Sequence, residues 1–150
     1  MPDRDQMIRD MIYDAAKPLD PLKYRTLRYV LNVETEVAAG GTGANQLSIN
    51  DNPFMWTKTT CGLKVAGTRD TQDNDFLVRL RDTNRYYDSD FHRPDLAYGD
   101  PRTGVVIPND VPIFLDSNAT ITGEVINLIG RQGESFNVQF ILHGFERWAR

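Results

Sequence analysis

One cysteine and two histidines in 150 residues are too few for several chemistries. Cys61 has no second cysteine with which to form an internal disulfide, and inside an apparent strand it reads as a small buried hydrophobe rather than a reactive thiol. Together with His92 and His143 it shows none of the clustered spacing of a zinc site. His143 is expected on the outward face of the last strand, and His92 is expected to hydrogen-bond or stack within a long loop. No Gly-x-Ser-x-Gly elbow surrounds Ser48, Ser89, Ser117 or Ser135, so no nucleophilic triad is nominated. The run Gly40-Gly41-Thr42-Gly43 lacks the lysine and the following helix of a phosphate cradle, which leaves a loop. No enzymatic activity, cofactor or metal is expected.

Long hydrophobic runs are also missing. The longest apolar stretches fall far short of the ~20 residues that a spanning helix requires, so no membrane partner is expected. The opening Met1-Pro2-Asp3-Arg4-Asp5 does not resemble a secretory signal, which points to a cytosol-like compartment and makes the Asn118-Ala119-Thr120 sequon a chance match. Positive charge is in deficit, with a net charge of −4, and this argues against wrapping a nucleic-acid backbone. What the chain does have is 40% hydrophobic and 25% charged residues, the composition of a globular domain large enough to bury a core.

Two regions separate along the chain. In residues 3–17, Met7, Ile8, Met11, Ile12 and Ala15 recur at helical spacing, Asp3 stands at the capping position and Lys17-Pro18 ends the pattern. Pro18-Leu19-Asp20-Pro21 then predicts a stiff hinge, so residues 1–21 form a helical arm with its hinge and residues 22–150 a β body with a docking tail. An isolated helix of ~14 residues is marginal in water and must lie on a surface, either its own sheet or a neighbour's.

Within the body, Leu27, Tyr29, Leu31 and Val33 alternate with polar residues in a strand expected to run to about Val37, and Gln46–Ile49 forms a short one. Pro53–Val65 predicts a strand with a bulge at Gly62. Phe76, Val78 and Leu80 face inward and Arg79 and Arg81 outward in Asp75–Asp82. A long aromatic excursion, with Tyr86, Tyr87, Phe91 and Tyr98, leads to a short strand at Thr103–Ile107. The runs Ala119–Ile129 and Phe136–Phe145 read as a long paired couple, in which Phe136, Val138, Phe140 and Leu142 share one face and only Ile141 breaks the alternation. With no βαβ alternation and no repeat, the fold class is all-β: an antiparallel β-sandwich, jelly-roll-like, with a short N-terminal helical arm.

Acidic groupings carry little chemistry. Asp70, Asp73 and Asp75 lack the glycine and distal glutamate of a calcium loop, so an acidic turn is expected. Asp88 and Asp90 are expected to pair with Arg85 and Arg93 at the surface. Arginine dominates the cations, and interleaved with Tyr and Trp it makes the side-chain mix of protein interfaces. The tail Phe145-Glu146-Arg147-Trp148-Ala149-Arg150 carries that mix onward. A partner-contact set follows: Met7, Ile8, Met11 and Ile12 of the arm, Tyr86, Tyr87 and Phe91 of the long loop, and Arg147, Trp148 and Arg150 of the tail.

The strand Tyr24–Val33, the Pro53-Phe54-Met55-Trp56 strand, the alternating Asp75–Asp82 strand, Val111-Pro112 before a turn and the terminal Leu142-His143-Gly144-Phe145 resemble the small head-associated proteins of tailed bacteriophages. The likeness spans about residues 22–147. It implies a cement or decoration protein that bridges major capsid or other virion subunits on the capsid exterior after assembly in the host cytoplasm, as a homo-oligomeric dimer or trimer. It supplies no catalytic residues. The alternative is a carbohydrate-binding β-sandwich that stacks sugars on Trp56, Tyr86, Tyr87 and Tyr98 and holds Ca²⁺ in the Asp70–Asp75 turn. A metal-dependent cupin would need several His and Glu ligands.

Overall fold

In a computed structural model, which describes residues 4–34, 41–63, 76–82, 85–100, 104–105, 107–128 and 137–148, the alternating apolar residues become strands, and β1 and β4 turn their alternating apolar residues to the core. Strand β1 (Tyr24–Glu34) buries Tyr29, Leu31 and Val33, and β2 (Thr42–Ser48) follows. Strand β3 (Phe54–Leu63) buries Phe54, Trp56, Thr59 and Cys61, and β4 (Phe76–Asp82) buries Phe76, Val78 and Leu80. After the short helix α2 (Pro94–Tyr98) come β5 (Pro108–Leu115), β6 (Thr120–Asn127) and β7 (Asn137–Arg147). In β7 the core-facing apolar residues are Val138, Phe140 and Leu142, and Ile141 and His143 lie on the opposite, outward face.

The strands form two antiparallel sheets: sheet A in the order β1-β7-β3-β5, and sheet B in the order β2-β6-β4. Among the described residues consecutive strands lie in opposite sheets, so the chain winds as a jelly roll and these strands do not pair with their neighbours in sequence. This corrects the expectation that the last two apolar runs pair. Strand β6 is central in sheet B, and β7 sits between β1 and β3 in sheet A. Residues 128–136 between them are too many for the two-residue hairpin that directly paired strands favour.

Two strand details depart from expectation. The irregularity in β3 falls between Trp56 and Lys58, not at Gly62: Trp56 pairs with Gly144 and Lys58 with His143, which leaves Thr57 as an extra residue. The inward parity shifts there, from Phe54 and Trp56 to Thr59 and Cys61. Gly144 lies inside β7 beside that bulge, where an added Cβ would meet the Met55 carbonyl oxygen at 1.9 Å. Thr42 and Gly43, expected in a loop, belong to β2, and β5 begins only at Pro108. Gly40, the Asp70–Asp75 turn, Val65 and Phe136 lie outside the described residues.

The core lies between the sheets, where Tyr29 meets Phe54 edge to face at 4.9 Å and Gly123 lets β6 approach Leu31 and Phe140. Each large side chain buried there stabilises by about 1.5–3 kcal/mol. A second cluster lies on the outer face of sheet A. Met55, Phe114 and Phe145 stand in one cross-strand row, and α1 (Arg4–Asp14) covers them with Met11, which is 0% exposed, helped by Ile8, Ala15 and Leu19. The stiff hinge is instead a turn on Asp20, whose Oδ1 accepts the Leu22 N–H and whose carbonyl accepts the Tyr24 N–H. It folds α1 back so that the Tyr24 hydroxyl donates to Asp14 Oδ2 at 2.7 Å.

Candidate interaction surface

Outward parity on β4 puts Arg79 and Arg81 on the open face of sheet B, and the ladder sets Glu124 of β6 opposite Arg79. Arg79 Nη2 lies 3.0 Å from Glu124 Oε2 and Arg81 Nε 2.7 Å from Glu124 Oε1, so one half-buried carboxylate holds two guanidiniums. Residues 85–98 then run along the free edge of β4. Val78 and His92 exchange both backbone hydrogen bonds, and the Tyr87 N–H donates to the Leu80 carbonyl. An irregular segment thus occupies the place of an eighth strand.

The segment turns its aromatics alternately out and in. Tyr86, 54% exposed, lies over Arg79 at 4.4 Å and Arg81 at 6.0 Å, and Phe91 lies over Arg79 at 4.2 Å. Each such cation–π contact contributes about 0.5–1 kcal/mol at an exposed site. Tyr87 instead meets Trp56 edge to face at 5.1 Å, and its hydroxyl donates to Asp82 Oδ2. Burial, and then Asp82, push the Tyr87 phenol well up.

Asp88 pins this segment to β4. Its Oδ2 accepts the Leu80 N–H at 2.9 Å and the Tyr98 hydroxyl at 3.1 Å, and its Oδ1 lies 3.2 Å from His92 Nε2. Burial pushes the carboxyl up, but hydrogen bonds from His92 and the Leu80 N–H, with the charge of His92, outweigh it and lower the pKa. Burial pushes His92 down, and Asp88 with the Arg93 carbonyl outweighs that and raises it. The expected pairing of Asp88 with arginine is therefore replaced by a His92–Tyr98 clasp. Asp90 caps the Phe91 N–H, Arg93 pairs with Asp95, and Arg85 approaches Asp82. Behind the clasp is a cavity of about 90 Å³ lined by Trp56, Thr59, Tyr87, Asp88, Tyr98 and Asn109, far below the roughly 300 Å³ of small-molecule sites.

The residues expected to meet a partner divide by exposure. Tyr86 and Ile12 are exposed, as is Trp148 at 44%, with Arg25 5.3 Å from its ring. Phe91, Met7 and Ile8 are half-buried. Met11 and Arg147 are buried within this chain, Met11 between α1 and the Met55 row of sheet A and Arg147 beside Tyr24 at 5.7 Å, so neither is open to a partner. Tyr87 faces inward, and Arg150 lies outside the described residues. The sugar-stacking set loses two rings: Trp56 is 2% exposed with its Nε1–H on Thr59 Oγ1, and Tyr98 is buried.

The chain matches no family model, no curated protein and no solved structure. Its functional reading rests on its own geometry. Among the described residues no three His, Cys, Asp or Glu side chains gather as a metal site, and no helix is long and apolar enough to cross a membrane. Sequence reasoning placed Tyr86 and Phe91 together but missed Arg79, which joins them, and Glu124, which holds it. The available signal was the outward parity of Arg79 and Arg81 beside an aromatic loop.

Proposed function

We propose that this protein is a structural component of a virion, a cement or decoration protein that bridges subunits on the outside of a phage capsid. The observation that carries the reading is the Tyr86–Arg79–Phe91 stack, which lies on the outer face of sheet B with Tyr86 exposed and is held in place by Glu124 and the Asp88 clasp. Tyr and Arg are the residues most enriched at binding hot spots, and a pre-ordered stack loses little side-chain entropy on docking. A jelly roll with a helix strapped across one sheet supplies a stiff body, and repeated copies on a lattice turn modest contacts into firm attachment. Trp148 over Arg25 offers a second, smaller aromatic–cation contact on the opposite sheet.

Co-sedimentation with assembled shells that lack this protein tests the reading, together with mass in solution for the dimer or trimer it implies. Saturable binding that Tyr86→Ala and Arg79→Ala each abolish supports it. A monomer that never pellets with shells, or a Tyr86→Ala variant that binds as wild type does, overturns it.

A further inference from the structure

Beyond the reach of α1, the outer face of sheet A carries a cationic row. In the strand register Arg28 of β1 pairs with His143 of β7, and His143 pairs with Lys58 of β3. With Thr26 and Thr57 these side chains line an open groove of about 320 Å³. Arg28 and Lys58 stand on the two strands that flank β7, both facing the ring of His143, and an acidic group set between two such cations would be attracted by both. Elsewhere the chain supplies such a group: Arg25 holds Glu146 at 2.7 Å, and Arg79 and Arg81 share Glu124. Arg28 and Lys58 hold no carboxylate among the described residues, although acids outnumber bases by 21 to 17 in the chain.

His143 adds no negative charge to the row and reports on it. Arg28 Nε donates to its Nδ1 at 3.3 Å, so Nδ1 is the unprotonated nitrogen, and Nε2 then donates to Thr60 Oγ1 at 2.9 Å. The groups facing the ring are Arg28 from β1 and Lys58 and Thr60 from β3, with Thr26 and Thr57 nearby. Burial first, then Lys58 and Arg28, hold its pKa below the usual histidine value. The Thr57 hydroxyl is engaged by the His143 carbonyl, which leaves the Thr26 hydroxyl, the Arg28 fork and the Lys58 ammonium as donors around the groove.

We infer that this groove binds a phosphoryl-class oxyanion, clasped by Arg28 and Lys58 from the strands on either side of β7 with Thr26 as a third donor. A guanidinium presents a planar fork and an ammonium a mobile point charge, a combination suited to several oxygens around one centre. A tetrahedral phosphoryl group meets donors from separate strands, whereas a carboxylate has only two oxygens to share among them.

The test is NMR on the isotope-labelled full chain, with sodium phosphate added at constant ionic strength. Saturable amide shifts are expected on β1, β3 and β7, and the His143 midpoint is expected to rise by about half a pH unit or more as the anion offsets the two cations. The double substitution Arg28→Gln, Lys58→Gln removes both effects while thermal unfolding, followed alongside, stays cooperative; each single substitution removes part. Phenyl phosphate is titrated beside inorganic phosphate: tighter binding of the ester assigns the site to a phosphorylated ligand, and equal binding assigns it to the free ion. Sodium chloride that reproduces the shifts, acetate that matches phosphate, a double variant that still responds, or shifts that map elsewhere each overturn the inference.

Discussion

Sheet A carries Met55, Phe114 and Phe145 on its outer face and keeps α1 over them, whereas sheet B carries Arg79, Arg81 and Glu124 there, with Tyr86 and Phe91 laid over Arg79. A sheet whose outward residues are apolar has to bury them, so the helix belongs to the fold. A sheet whose outward residues are charged stays open and can present aromatics to a partner. The same chain thus covers the apolar part of one outer face with a helix and leaves the charged outer face of the other sheet accessible. Substitutions beneath α1 should change unfolding, and those in the Tyr86–Arg79–Phe91 stack should, under the proposed function, change binding.

The largest effect is expected at Gly144→Ala in sheet A. The new methyl would press on the Met55 backbone at the β3 bulge, and a loss of about 3 kcal/mol is expected in denaturant unfolding. Gly62→Ala in β3 meets nothing within 4 Å and serves as the near-neutral control. Met11→Ala leaves the row beneath α1 uncovered and is expected to cost about 2 kcal/mol or slightly more, with α1 amides exchanging faster than those of β7. If Met11→Ala were neutral, the helix would not be part of the fold and the comparison would collapse.

On sheet B, Asp88→Asn should cost about 1–2 kcal/mol, because the Leu80 N–H, the Tyr98 hydroxyl and His92 lose a charged acceptor. The sign with pH follows from the two shifts. His92 is raised, so its contribution is complete below 6.5 and fades as pH climbs through its folded value. Asp88 is lowered, so its contribution is complete above 3.8 and fades as pH falls through its folded value. The gap between wild type and Asp88→Asn should therefore be widest between pH 3.8 and 6.5 and narrow on both sides, as urea midpoints across pH would show. The smallest stability change, under about 1 kcal/mol, is expected for Tyr86→Ala, whose loss should appear in partner binding instead. An unfolding loss as large as that of Met11→Ala would place Tyr86 with the fold.

Much of the architecture was legible. Alternation named the inward residues of β1, β4 and β7, because a strand with one buried face writes its parity directly into the chain. Pairing was not legible: parity says which side a residue faces and nothing about which strand lies beside it. The run Phe54-Met55-Trp56 did carry a signal, since three successive apolar residues require both faces of β3 to be covered, and this is where α1 settles. The Asp88 clasp was hidden because its partners, the Leu80 amide and the Tyr98 hydroxyl, reach it only once the loop lies along β4. Arm and tail each proved double: Ile12 and Trp148 face outward, but Met11 and Arg147 anchor them from within.

The place of β7 between β1 and β3 also sets an order of events during synthesis. Sheet B can assemble β2, β6 and β4, and β3 can join β5, from residues made earlier, but among the described strands β1 pairs only with β7. Until residues 137–147 leave the ribosome, Leu27, Tyr29, Leu31 and Val33 wait on an unpaired strand, the kind of edge that recruits other chains. Closure of this body is therefore a late, long-range step, and a chain stalled before β7 would be a hazard to its neighbours rather than a partly working protein.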